Sequence, residues 1–115
     1  MFRTNSNKGF LMEFDNGFGI SVQWGITNYC SAKNLSEFSF DADIEMKGNS
    51  KGFRNAWESN TAEIAVFKGE KMMSVGDNDQ VIGWLTTDDV AQVIEIVSKY
   101  KTEITIMKKI IKLNL

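Results

Sequence analysis

Histidine is absent from this sequence, which removes the commonest general base, the commonest metal ligand and every histidine-dependent catalytic triad at once. A single cysteine, Cys30, rules out an internal disulfide and leaves a cysteine-based metal site without partners. Proline is missing as well, so every turn has to be made by glycine, asparagine or aspartate. Apolar runs extend over only a few residues, too short to span a bilayer, and the N-terminal MFRTNSNKGF lacks the apolar stretch of a secretion signal. These absences together predict a cytosolic protein with no cofactor, no metal and no membrane partner.

The residues that are present describe one ordinary domain. With 115 residues, 43% of them hydrophobic and 24% charged, the chain has enough apolar surface to bury a core without staples. Residues 1–8 are expected to be a loose lead-in and residues 100–115 a basic extension. The net charge of −2 conceals an asymmetry: residues 1–98 hold eight basic and fourteen acidic side chains, whereas Lys99, Lys101, Lys108, Lys109 and Lys112 face Glu103 alone in the tail. Such a cluster suits an acidic partner, or else it is a solvated face that complements the protein's own acidic surface. A sequence pI near 5.1 and the lack of an RNA-binding signature disfavour nucleic acid.

Alternation dominates the first two dozen residues. Phe10, Met12 and Phe14, then Ile20, Val22 and Trp24, read as two strands of a hairpin around DNGFG. A two-residue turn at Asn16-Gly17 would put the two apolar sets on opposite faces of the sheet. Pairing Phe14 with Ile20, Met12 with Val22 and Phe10 with Trp24 puts all six on one face, with Asp15 to Gly19 as a five-residue connection or a bulge. A phosphate-binding glycine loop leaves a strand and opens a helix. This one leads into another strand, and Val22 stands where the third glycine of G-x-G-x-x-G belongs.

Further along, EFSFDADIEMK alternates Phe38, Phe40, Ala42, Ile44 and Met46 with polar residues, a half-buried antiparallel strand. TAEIAVF, MMSV and QVIGWL read as further strands, separated by turns at KGEK and GDND. Thr86 with Asp89 approximates a capping box, and Val90, Val93, Ile94 and Val97 make the buried stripe of the main helix. In KTEITIMKKIIKLNL, Ile104 and Ile106 alternate as in a strand, while Met107, Ile110, Ile111 and Asn114 recur at helical spacing; the expectation adopted is a strand over 102–107. The predicted fold is α+β, an antiparallel sheet of about four to five strands with one main helix on one face.

Candidate functional residues are few. Cys30 lacks the base that a nucleophile needs, so it reads as a structural cysteine, buried or half-buried. Asp77, Asp79, Asp88 and Asp89 lack the offsets of a calcium loop and are accounted for by turns and capping. Trp24, Trp57 and Trp84, with Tyr29, are the aromatic residues most apt to anchor a partner. Trp24 is expected at the sheet edge closing the core, Trp84 packed against the final helix, and Trp57 exposed. A partner-binding surface is therefore drawn from Trp24, Asn28, Tyr29, Trp57, Lys108, Lys109 and Lys112. The alternative is a small-ligand or nucleotide-sequestering site at Gly17, Gly19 and Lys33, with an aromatic stacking on the base.

FDNGFGISVQWGITNYCS, AEIAVF and VIGWLTTDDVAQVI together resemble a group of small uncharacterised bacteriophage proteins with an F-x-N-G-x-G-x-S-V hairpin and a D-V-I-G-x-L-T-x-x-E-V helix start. The similarity covers about two thirds of the chain; the 35–60 segment and the lysine-rich tail depart from the pattern. The resemblance implies a phage accessory protein of the host cytosol and brings no catalytic residues. The function expected is non-enzymatic: binding a host protein, and so inhibiting host defence or metabolism, or self-association.

Overall fold

The computed structural model describes residues 1–4, 9–25, 28–31, 59–75 and 80–115. The predicted strand at 38–46 and residues Lys33, Trp57, Asp77 and Asp79 lie outside the described residues.

Among the described residues six strands form one antiparallel sheet: β1 (Phe2–Thr4), β2 (Gly9–Glu13), β3 (Phe18–Gln23), β4 (Ala62–Lys68), β5 (Lys71–Met72) and β6 (Val81–Leu85). The order is β1-β2-β3-β4, with β5 and β6 both paired to the far side of β4. Two helices follow, α1 (Thr87–Lys99) and α2 (Glu103–Lys112). The α+β class is as expected, with a somewhat larger sheet and a second helix. Phe2–Thr4 belong to an edge strand rather than to a loose lead-in.

Period-two burial decides which side of the sheet the helices cover. Phe10, Met12, Ile20, Val22, Ile64 and Val66 share a core with Val90, Val93 and Val97 of α1 and Ile106 and Ile110 of α2. The intervening residues, among them Leu11, Gly19, Gln23, Glu63 and Phe67, therefore face the opposite side.

The first hairpin groups its apolar residues on the expected face, but its register is two residues away from the expected one. Met12 pairs with Ile20 and Phe10 with Val22. The connection is only Asp15-Asn16-Gly17: the Phe14 amide donates to the Phe18 carbonyl at 2.8 Å and the Gly17 amide to the Phe14 carbonyl at 3.1 Å. Gly17 takes φ 88°, the left-handed position that closes a three-residue hairpin loop with a bulge. A shift of two residues keeps every side chain on its face, so alternation alone does not distinguish the two registers.

Asn16 explains why the shorter loop wins. Its Oδ1 accepts from the Phe18 amide at 3.0 Å, while its Nδ2 donates to the carbonyls of Val97 at 2.7 Å and Tyr100 at 2.8 Å. The turn thus satisfies carbonyls at the C-terminal end of α1 that have no intrahelical donor.

Helix α1 opens as predicted. Thr86 Oγ1 accepts from the Asp89 amide at 3.2 Å, and Asp89 Oδ2 accepts from the Thr86 amide at 3.0 Å. Thr86→Ala is expected to lower stability by about 1 kcal/mol, read as a shift of the urea midpoint at constant m. A shift within error would mean that the reciprocal cap adds nothing.

The strand expected over 102–107 is instead helical. Thr102 caps α2 by accepting from the Thr105 amide at 3.3 Å, Ile106 and Ile110 are buried, and the last turn holds Lys109 and Lys112, favourable at a helix C-terminus. Asn114, at φ 55°, follows the end of the helix. Residues 103–113 consequently contribute to the core and are more than a solvated extension.

Candidate interaction surface

A short loop clamped onto the face of the sheet opposite α1 and α2 organises the principal candidate surface. After β3, the Gly25 amide donates to Asn28 Oδ1 at 2.9 Å and the Asn28 amide to the Gly25 carbonyl at 3.0 Å. Asn28 Nδ2 reaches Gln23 Oε1 at 3.2 Å and Glu63 Oε1 at 3.3 Å, and the other Glu63 oxygen accepts from the Tyr29 amide at 2.9 Å. The Ser31 amide donates to Thr61 Oγ1 at 2.8 Å. Asn28, one of the residues expected to touch a partner, is half-buried and holds the loop to β3 and β4.

Cys30 is fully buried, its thiol 3.5 Å from the Gly25 carbonyl. Labelling by an aromatic disulfide reagent is expected to be slow in the native state and to become fast in denaturant. Rapid native labelling would contradict this sealed position.

Strand β6 meets the same loop through an irregularity. Pairing runs Ala65↔Val81 and Ile64↔Ile82, then shifts to Ala62↔Leu85, so β6 bulges at Gly83-Trp84. Trp84 takes φ 61°, which for a bulky residue costs about 1–3 kcal/mol. Its amide donates to the Tyr29 carbonyl at 2.8 Å. Gly83 is needed for the approach, because a Cβ there would stand 2.5 Å from the Cβ of Tyr29.

The bulge overturns the expectation that Trp84 packs against the final helix. Regular alternation from Ile82 would turn Trp84 inward; the extra residue instead puts Leu85 in the core at 3% exposure and leaves Trp84 56% exposed. Tyr29 is 51% exposed, and the two aromatic residues line a shallow depression of about 290 Å³ with Val81 and Gly83.

The other candidates are distributed elsewhere. Trp24 is half-buried, packed edge-on against Phe10 with ring centroids 6.3 Å apart, and lines a cleft of about 340 Å³ with Leu85, Val90 and Ile94. Lys108 and Lys112 are exposed on α2, while Lys109 Nζ lies 5.3 Å from the centroid of the Tyr100 ring. The structure thus separates the predicted surface into a Tyr29 part, a Trp24 cleft and a lysine face on α2.

Gly17 and Gly19 line a cleft of about 470 Å³ with Arg3, Leu11, Glu13, Phe67 and Glu70. The Gly17 amide is already bonded and Gly19 sits inside β3, opposite Glu13 and Phe67. One arginine against two glutamates offers poor electrostatics for a nucleotide phosphate. Among the described residues no group of three or more Cys, Asp or Glu is gathered to hold a metal, and no helix is long and apolar enough to cross a membrane.

Comparison of the chain with family models, curated proteins and solved structures finds no match. The functional reading therefore rests on the chain's own residues.

Proposed function

We propose that this protein is a non-enzymatic binding protein that holds a partner protein through the Tyr29–Trp84 surface. The observation that carries this reading is Trp84, kept in a left-handed conformation at φ 61° and more than half exposed. A sequence selected for stability alone would put glycine or asparagine at such a position, whereas tryptophan is the residue most enriched where partners bind. Backbone strain of this kind collects at binding sites, where the surrounding structure holds it in place. The clamp of Asn28, Glu63 and Tyr29 supplies that support, a rigid base beneath two aromatic anchors. The absence of histidine and the burial of Cys30 favour binding over catalysis. In the concrete form of the proposal the protein is a phage accessory factor and the partner a host cytosolic protein, whose activity it blocks.

Affinity purification from infected host cells, with wild type and Trp84→Gly side by side, tests the proposal. A partner retained by wild type and lost with Trp84→Gly is expected, while the melting temperature of the variant stays the same or rises as the strain is relieved. Recovery of the same partner by both proteins would remove Trp84 from the interface. A variant less stable by more than about 1 kcal/mol would show that Trp84 is held for packing.

A further inference from the structure

A second surface, on the outer side of α2, points to a different kind of partner. Ile104 and Ile111 are 67% and 63% exposed although Ile106 and Ile110 of the same helix are buried. Ile104, Lys108 and Ile111 fall at i, i+4 and i+7, so they form one strip about 10.5 Å long on the solvent side. Exposed Lys101 and Lys112 flank it, and Glu103 is the sole acid among residues 99–115. The strip is thus apolar at two points and cationic between and around them, on a molecule whose remaining residues are strongly acidic.

We propose that this strip docks the protein on an anionic lipid surface, with Ile104 and Ile111 inserted shallowly and the lysines at the headgroup phosphates. Each alternative occupant fits less well. A second copy packed through the same strip would bring Lys108 and its neighbours against their own kind. A helix-binding groove in a protein uses anchors at i, i+3, i+4 and i+7, but here i+4 is lysine and the i+3 residue, Met107, already packs against the core. A nucleic acid would engage the lysines and leave the isoleucines unused. An anionic bilayer takes both features: apolar tips enter the acyl boundary while lysine stems extend to the phosphates. The acidic remainder of the molecule would be repelled from that surface and so orient the strip toward it. Such docking needs no spanning segment.

Sedimentation with vesicles of phosphatidylglycerol and phosphatidylcholine in equal parts, against pure phosphatidylcholine, tests the proposal with the full chain. Binding is expected only to the anionic vesicles, and it should weaken about tenfold or more between roughly 0.05 M and 0.5 M salt. Ile104→Ser with Ile111→Ser, and separately Lys108→Glu with Lys112→Glu, should each reduce partitioning about tenfold or more. All four positions are exposed, and unchanged melting curves would confirm that the variants fold. No binding to the anionic vesicles overturns the proposal. Binding that survives the isoleucine changes also overturns it, since adhesion would then be electrostatic only. Polyglutamate or duplex DNA competing as well as the vesicles would assign the strip to a soluble polyanion instead. None of these results involves Trp84, so they are read independently of the Tyr29–Trp84 surface.

Discussion

Ile106→Ala is expected to reduce the free energy of unfolding by about 2–5 kcal/mol, whereas Ile104→Ala, two residues away, should change it by less than about 0.5 kcal/mol. The contrast follows from helical geometry. Residues two apart on a strand share a face, but on a helix they are about 200° apart. In α2 this turns Ile106 into the core beside α1 at 0% exposure and leaves Ile104 67% exposed. Urea titration of both variants measures the difference, with an unchanged m establishing that the same cooperative unit unfolds. Equal losses at the two positions would mean that both side chains share one buried face, the arrangement of a strand.

Asn16→Ala should cost about 2–3 kcal/mol, a large effect for a turn residue that contributes no apolar burial. Three hydrogen bonds disappear together: those donated to the Val97 and Tyr100 carbonyls and the one accepted from the Phe18 amide. The carbonyls belong to the end of a helix, where no further turn supplies a donor. Asn16→Asp is expected to be no better than alanine despite its similar shape. An ionised carboxylate has no donors and adds negative charge at the negative end of the α1 dipole. Chemical denaturation of the two variants checks the pair of expectations. If aspartate restored full stability, the side chain would be acting through its local turn geometry and not through the helix carbonyls.

Asn16 also illustrates how much of this molecule is legible along the chain. Asn-Gly between two alternating stretches identifies a hairpin because both residues tolerate turn geometry locally. That the same amide closes the end of a helix more than 80 positions later is invisible to any local pattern. The start and the valine stripe of helix α1 are readable, since its capping box, its first-turn aspartates and Val90, Val93 and Val97 all lie within one short window, although Ile94 is only half-buried. Helix α2 is not readable in this way, because Thr102-Glu103-Ile104-Thr105-Ile106 satisfies a period of two over five residues and its helical repeat emerges only with Ile110. Burial against α1 then outweighs the weak strand preference of the isoleucines and threonines.

The candidate surface divides in the same way. Tyr29 is marked in the sequence as an aromatic residue in a polar loop, whereas the outward turn of Trp84 is not, because a bulge carries no sequence mark other than a glycine. From composition and spacing alone came the α+β class, the single buried thiol, the inward face of each early strand and the start of α1. These depend on which side chains avoid water and on contacts within a few residues, both of which are properties of the local chain. Strand register, the exposure of Trp84 at its bulge, the helical state of residues 103–112 and the two exposed isoleucines were decided only in three dimensions. Each of them is an outcome of competition between alternatives of nearly equal local energy, and distant partners such as Tyr29, Val97 and the α1 face determine which one prevails.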